Sequence, residues 1–300
     1  MINYNPKEWM SFIFHVHKSD TFRKLWPLML GIAILSAMIA YLELNHLKLA
    51  ETTYIKNVGM MHNLLGFVLS MLLVFRTNTS YDRWWDGRKL LGALTNVSRN
   101  LALKIKALNL PEEEVEFFKY GIPKYGFALK EHLREKQYFG KDSFLIEIDG
   151  GKHIPNQVAA SIIARLYDLQ RDGKISQEQL ITLSADTNQF TDICGGCERI
   201  RNTPIPYSYS AFIKKFIFIY VITLPIGWVF SLGYFVVPIV PFILYVLASL
   251  ELIAEEIENP FNQDANDLPV DQICNYLDVE NSLSSTLRTS FARRASFSDA

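Results

Sequence analysis

Hydrophobic and polar positions alternate in two regimes along this chain: long runs without a charge, and polar stretches with apolar residues at helical spacing. The uncharged runs are Leu25–Leu42, Asn57–Phe75 and a 35-residue stretch from Phe216 to Leu250. About 20 apolar residues carry a helix across a bilayer. As one helix the last run would be roughly 52 Å long, well beyond a hydrocarbon core of about 30 Å. It reads instead as a hairpin turning near Ser231-Leu232-Gly233, with Pro225, Pro238 and Pro241 bending its arms. The pattern predicts an all-α membrane protein with four transmembrane helices, at about 25–42, 57–75, 216–231 and 234–250.

The second span has two unlike faces. Asn63, Gly66 and Ser70 recur at i, i+3 and i+7, while Met60, Leu64, Val68 and Met71 crowd another side. A helix that only anchors a protein in lipid has little use for a small, polar stripe, so this one is expected to touch other helices or water. The intervening region, about 77–215, reads as helical. Leu90, Leu91, Leu94, Val97, Leu101 and Ile105 sit near helical spacing. Pro111 followed by three glutamates marks a helix start. Asp149-Gly150-Gly151 leads to a helix from Pro155 to about Asp172, and Ser176 with Gln179 forms a capping box opening a helix to about Ile200.

Composition agrees with a chain divided between bilayer and water: mean hydropathy is +0.09, yet 20% of residues are charged. The near balance of 30 basic and 31 acidic residues gives no support to nucleic-acid binding. Basic residues near the span ends set orientation. Lys18, Arg23 and Lys24 precede span one; Arg76, Arg83, Arg88 and Lys89 follow span two; Lys214 and Lys215 precede span three. The loop after span one has Lys48 and Lys56 against Glu43 and Glu51, and the hairpin turn has no charge. Both termini, the middle region and the segment 251–300 are therefore expected on the cytoplasmic side of the cell's inner (plasma) membrane. The first twenty residues lack the pattern of a cleavable signal peptide.

Candidate chemistry is sparse. Three cysteines, Cys194, Cys197 and Cys274, make neither a disulfide framework nor a four-ligand zinc site. The Cys194-Gly-Gly-Cys197 spacing reads as small residues allowing close helix packing. Six histidines are scattered, with no HExxH pattern and no carboxylate at i+4, and only His62, inside a span, stands out. The segment Asn259 to Asp267 holds oxygen ligands suited to calcium, and equally to an ordinary Asx-rich turn. Glu251, Glu255, Glu256 and Glu258 form either a solvated helix face or the lining of an acidic cation vestibule. No nucleophile–base pair or phosphate-cradling loop is present, so an enzyme is not expected.

Two stretches together resemble the bestrophin family in its bacterial branch: Leu64 to Gly92, LLGFVLSMLLVFRTNTSYDRWWDGRKLLG, and Cys197 to Lys215, CERIRNTPIPYSYSAFIKK. ENPFNQDANDLP, Glu258 to Pro269, adds a third match in the expected order. The resemblance implies a homopentameric ion channel, one bestrophin-type subunit over 1–300, with lipid and permeating ions as its other partners. It places the pore neck at Met60, Leu64 and Val68, spaced i, i+4 and i+8, where five copies would stack hydrophobic rings. Periodicity alone leaves open that these face lipid or a neighbouring helix instead.

The resemblance also implies a cytoplasmic exit constriction near Glu178. It implies a degenerate calcium clasp at Asp264 and Asp267, with Gln263 and Ala265 where the animal clasp is more acidic. No cofactor other than weakly bound calcium is implied. Neutral neck rings carry no sign, so the acidic residues lean the reading toward small monovalent cations, sodium and potassium. Chloride conduction, as in animal bestrophins, is the alternative. A secondary transporter or a membrane-anchored scaffold comes after these, since no internal repeat is visible.

Overall fold

The computed structural model describes residues 21–47, 53–135 and 148–277. Lys18, Lys48 and Glu51 from the orientation argument, the first twenty residues and the polar tail past 277 lie outside them. Every regular element among the described residues is helical, as the apolar periodicity predicts. The chain divides into two compact units, Met1–Trp84 with Pro204–Asp267, and Trp85–Thr203 with Leu268–Ala300.

The first unit contains α1 (Thr21–Leu42), which ends in a wider π-helical turn, Glu43–Leu47. It also contains the first part of α2 (Thr53–Ala107), then α6 (Tyr207–Leu232) and α7 (Val236–Glu258). Between α6 and α7 the chain makes one 3-10 turn, Gly233–Phe235. Gly233 takes φ +55°, a left-handed conformation that a side chain would resist, and this is where the hairpin was expected to turn. The helices continue through Pro225 and Pro241. Three described stretches, Thr21–His46, Val58–Ala107 and Tyr207–Glu258, are long and apolar enough to cross a membrane.

Ile32 and Ala40 of α1 meet Leu69 and Leu73 of α2, Ile217, Val221 and Leu224 of α6, and Val240 and Leu244 of α7 in one buried cluster. In lipid such helices gain little from apolar burial, because lipid tails are as apolar as leucine. Close packing and interhelical hydrogen bonds take over that role. Thr21 and Ser249 hydroxyls pair at 2.8 Å, His62 Nε2 lies 3.0 Å from Thr223 Oγ1, and Tyr209 Oη donates to the Leu72 carbonyl at 3.3 Å.

The second unit holds the remainder of α2, then α3 (Glu112–Leu133), α4 (Ile154–Arg171), α5 (Gln177–Asn202) and the short α8 (Val270–Tyr276). Its core is a cluster of large apolar side chains. Leu91, Leu94, Leu101, Phe118, Ile122, Leu129, Ile162 and Phe190 are nearly inaccessible, and each such side chain contributes about 1.5–3 kcal/mol by leaving water. Local signals close the helices. Pro111 is the N-cap of α3, and Ser176 and Gln179 form the reciprocal capping box of α5. Past α4, Gly173 at φ +69° lets Lys174 N–H reach the Leu169 carbonyl at 2.9 Å, ending the helix in a Schellman turn. Buried Glu114 holds Arg165 at 2.6 Å and Lys174 at 2.9 Å, tying α3 to α4 and the turn after it.

Candidate functional site

One stripe of α2 faces its own chain. His62, Leu69, Leu73, Arg76, Ser80 and Trp84 are buried, at steps of three, four or seven residues. Gly66 belongs to this stripe. A Cβ there would come within 2.6 Å of Tyr220 Oη, so the glycine lets α2 and α6 approach. Asn63 and Ser70 flank it and are exposed, and Ser70 returns its hydroxyl hydrogen to the Gly66 carbonyl at 2.8 Å.

Met60, Leu64 and Val68 point away from this packed face and are exposed by 72%, 65% and 40%. Among the described residues nothing covers them, which leaves this face open to lipid, another stretch of protein or a restricted water path.

At the end of the uncharged run, Arg76 is 1% exposed and is the centre of a charged cluster. Its Nη2 donates to Glu258 Oε2 at 2.7 Å, its Nη1 to Ser80 Oγ at 3.2 Å, and its Nε lies 3.4 Å from Glu251 Oε2. Glu258 Oε1 in turn accepts the Ile205 N–H at 2.6 Å, and Arg83 Nε donates to the Glu258 carbonyl at 3.0 Å. The cluster thus joins α2, the approach to α6 and the end of α7. The other two carboxylates are paired as well: Glu255 with Lys214 at 2.9 Å, and Glu256 with Lys24 at 2.7 Å and the Asn266 amide at 2.8 Å. All four glutamates expected to line a vestibule have partners inside the chain. Glu251 is 2% exposed within the chain.

Glu178 stands exposed in the first turn of α5. The Ser176 hydroxyl, 2.6 Å away, holds its carboxyl below the usual range. Asp264 and Asp267 come together in the loop after α7, where Asp267 Oδ2 accepts the Asp264 N–H at 2.6 Å. Asp264 is exposed and Asp267 is buried, and burial pushes the Asp267 carboxyl up to about 6. Among the described residues its Oδ1 has no hydrogen-bond partner. Calcium takes six to eight oxygens. This loop offers two carboxylates, one with an oxygen already engaged, and Trp84 Nε1 occupies the Asn266 carbonyl at 3.1 Å. These oxygens fall short of a calcium coordination shell.

Cys194 and Cys197 are buried on α5, and burial pushes both thiols up to about 12. Next to them Gly196 lies against Leu90, where a Cβ would meet the leucine at 2.9 Å, in keeping with close helix packing. Two groupings escaped the sequence reading. One is the Arg76 cluster, whose signal was available: lone charges at the ends of two uncharged runs must find each other or water. The other is His132, His153 and Glu198, which come within 4.8 Å of one another and have no common sequence spacing.

Residues 1–283 match the family described as bacterial/fungal bestrophin protein. The chain is 35% identical to a Nostoc sp. protein named voltage-dependent anion channel-forming protein alr2987, over 70% of this chain and 72% of that one. It is 31% identical to the Escherichia coli K12 voltage-dependent anion channel-forming protein YneE, over 73% and 74%. A crystal structure of a Klebsiella pneumoniae bacterial bestrophin homologue, carrying a point mutation, superposes with a TM-score of 0.75 at 23% identity, covering 88% of this chain and 98% of that one.

Proposed function

The chain belongs to the bacterial and fungal bestrophin family, and from that premise we propose that it is a passive anion channel, a homopentamer of four-span subunits around a central axis. Its helices and its relatives alike speak for a membrane-embedded channel rather than an enzyme. The observation that carries the reading is the exposed, uncharged face of α2. Met60, Leu64 and Val68 occupy successive turns opposite or beside the packed stripe, where a fivefold arrangement turns them into three apolar rings. Such a neck excludes water when narrow and conducts when slightly widened, so it gates by dewetting or by small helix movements. Orientation follows the basic residues at the span ends, with both termini on the cytoplasmic side of the inner membrane.

Anion conduction replaces the cation preference that Glu178 and the acidic residues 251–258 suggested. Each of Glu251, Glu255, Glu256 and Glu258 is paired inside the chain, with Arg76, Lys214 or Lys24. The names of the relatives in Nostoc and Escherichia coli favour anions too. Exposed Glu178 is the observation left to favour a cation-selective exit. Reversal potentials in planar bilayers under a potassium chloride gradient test the reading. A potential near that of chloride is expected; one near that of potassium restores the cation reading. Purified chain that forms monomers and carries no current removes the channel altogether.

A further inference from the structure

We propose that His132, His153 and Glu198 form a binding site for a zinc-class divalent metal, with a fourth coordination position open to water. The three ligands come from three helices of the second unit. His132 lies in the last turn of α3, His153 is the N-cap of α4, and Glu198 lies on α5. His132 Nε2 and His153 Nε2 both point at one oxygen, Glu198 Oε1, at 2.6 Å and 2.7 Å, and their ring centroids are 4.4 Å apart. Two imidazoles and a carboxylate are a donor set that suits zinc over calcium or magnesium, which prefer oxygen alone.

Zinc bonds of about 2.0–2.2 Å place tetrahedral ligand atoms about 3.3 Å apart. The present contacts must therefore open by roughly 0.6 Å. The side chains are 27%, 33% and 28% exposed, enough for that movement and for ion entry. Burial opposes ionisation of Glu198, but the hydrogen bonds from His153 and His132 outweigh it and hold the carboxyl below its ordinary range. Arg201 Nη1 donates to the His132 carbonyl at 3.0 Å, anchoring that ligand's backbone.

The metal competes with one existing bond. His153 Nδ1 accepts the Asn156 N–H at 3.2 Å, which puts the ring proton on Nε2. A metal at Nε2 requires that proton to shift to Nδ1, so loading sacrifices the cap. In return the ion clips three helix segments together.

The experiment uses the untagged full chain in detergent, stripped by a chelator and titrated with zinc or cobalt. Bound metal is measured after gel filtration, together with the unfolding temperature. About one zinc per chain is expected, with a rise in unfolding temperature that calcium and magnesium do not produce. Cobalt should show the visible absorption of a four-coordinate ion. His153→Asn keeps a good cap while removing a ligand, so its affinity should fall at least tenfold in a folded chain, and His132→Ala should behave alike. Wild-type uptake no greater than that of His153→Asn, or equal stabilisation by calcium, overturns the site in favour of two metal-free histidine–carboxylate hydrogen bonds.

Discussion

The two ends of α2 obey the same geometry and opposite chemistry. Between Met60 and Trp84 the stripe facing the chain includes His62, Arg76 and Ser80, while Met60, Leu64, Phe67, Met71 and Val74 are exposed. Between Leu91 and Ile105 the stripe is Leu91, Leu94, Val97, Leu101 and Ile105, and the exposed side carries Asn96, Arg99, Asn100 and Lys106. Helical spacing is unbroken throughout. The two patterns suit two media. Where lipid or a second chain covers the outside, apolar residues are free to leave the core, and polar groups inside find one another as partners. Where water covers the outside, burying leucine and isoleucine is what holds the fold.

The largest expected effect tests the polar interior of the first region. Arg76→Ala leaves Glu251 and Glu258 without their cation, which typically costs about 3–5 kcal/mol for a buried pair. Loss of folded material in detergent gel filtration is expected, and an unfolding temperature unchanged from wild type would show that the cluster is not integral. Next, the two leucines that embody the contrast should part company. Leu101→Ala opens a cavity in the water-facing region and should cost about 2–5 kcal/mol, with single-channel current retained in whatever folds. Leu64→Ala, at an exposed position, should shift stability by no more than about 0.5 kcal/mol and raise ion flux through a wider neck. Unchanged flux would assign Leu64 to lipid.

A third effect depends on pH. The Asp267 carboxyl sits at about 6 against an ordinary 3.8, so the folded chain holds this proton more firmly than the unfolded one. Stability from this group is full below the ordinary value and is lost as pH rises through about 6, amounting to at most about 3 kcal/mol. Thermal unfolding of wild type should fall from about pH 4 to pH 6 and level off above that, and the fall should be smaller in Asp267→Asn. Identical profiles would remove this role. The smallest effect is expected from Glu178→Gln. The exposed side chain should change stability by a few tenths of a kcal/mol, and in an anion channel it should leave the sign of the reversal potential unchanged.

Much of this was legible in the chain. The turn at Gly233, the start of α3 at Pro111 and the Ser176–Gln179 capping box are local, and a few residues decide each through a conformation or a hydrogen bond. The neck proposed at Met60, Leu64 and Val68 rests on family resemblance, because an exposed apolar face looks the same whether lipid or a pore lies beyond it. The roles of Glu251 and Glu258 were read from their own helix, as an acidic run, although their partner Arg76 lies more than 170 residues earlier.

The same division holds for the protein as a whole. Sequence by itself determined which segments are helical, which can enter a bilayer and where they end, since these depend on spacing, caps and charge within a few turns. Tertiary structure decided which charges are spent inside the chain and which groups converge, such as Arg76 with Glu251 and Glu258, or His132 and His153 with Glu198. Those pairings join distant segments, and a carboxylate's charge matters to its surroundings only once the fold has placed, or withheld, a cation beside it.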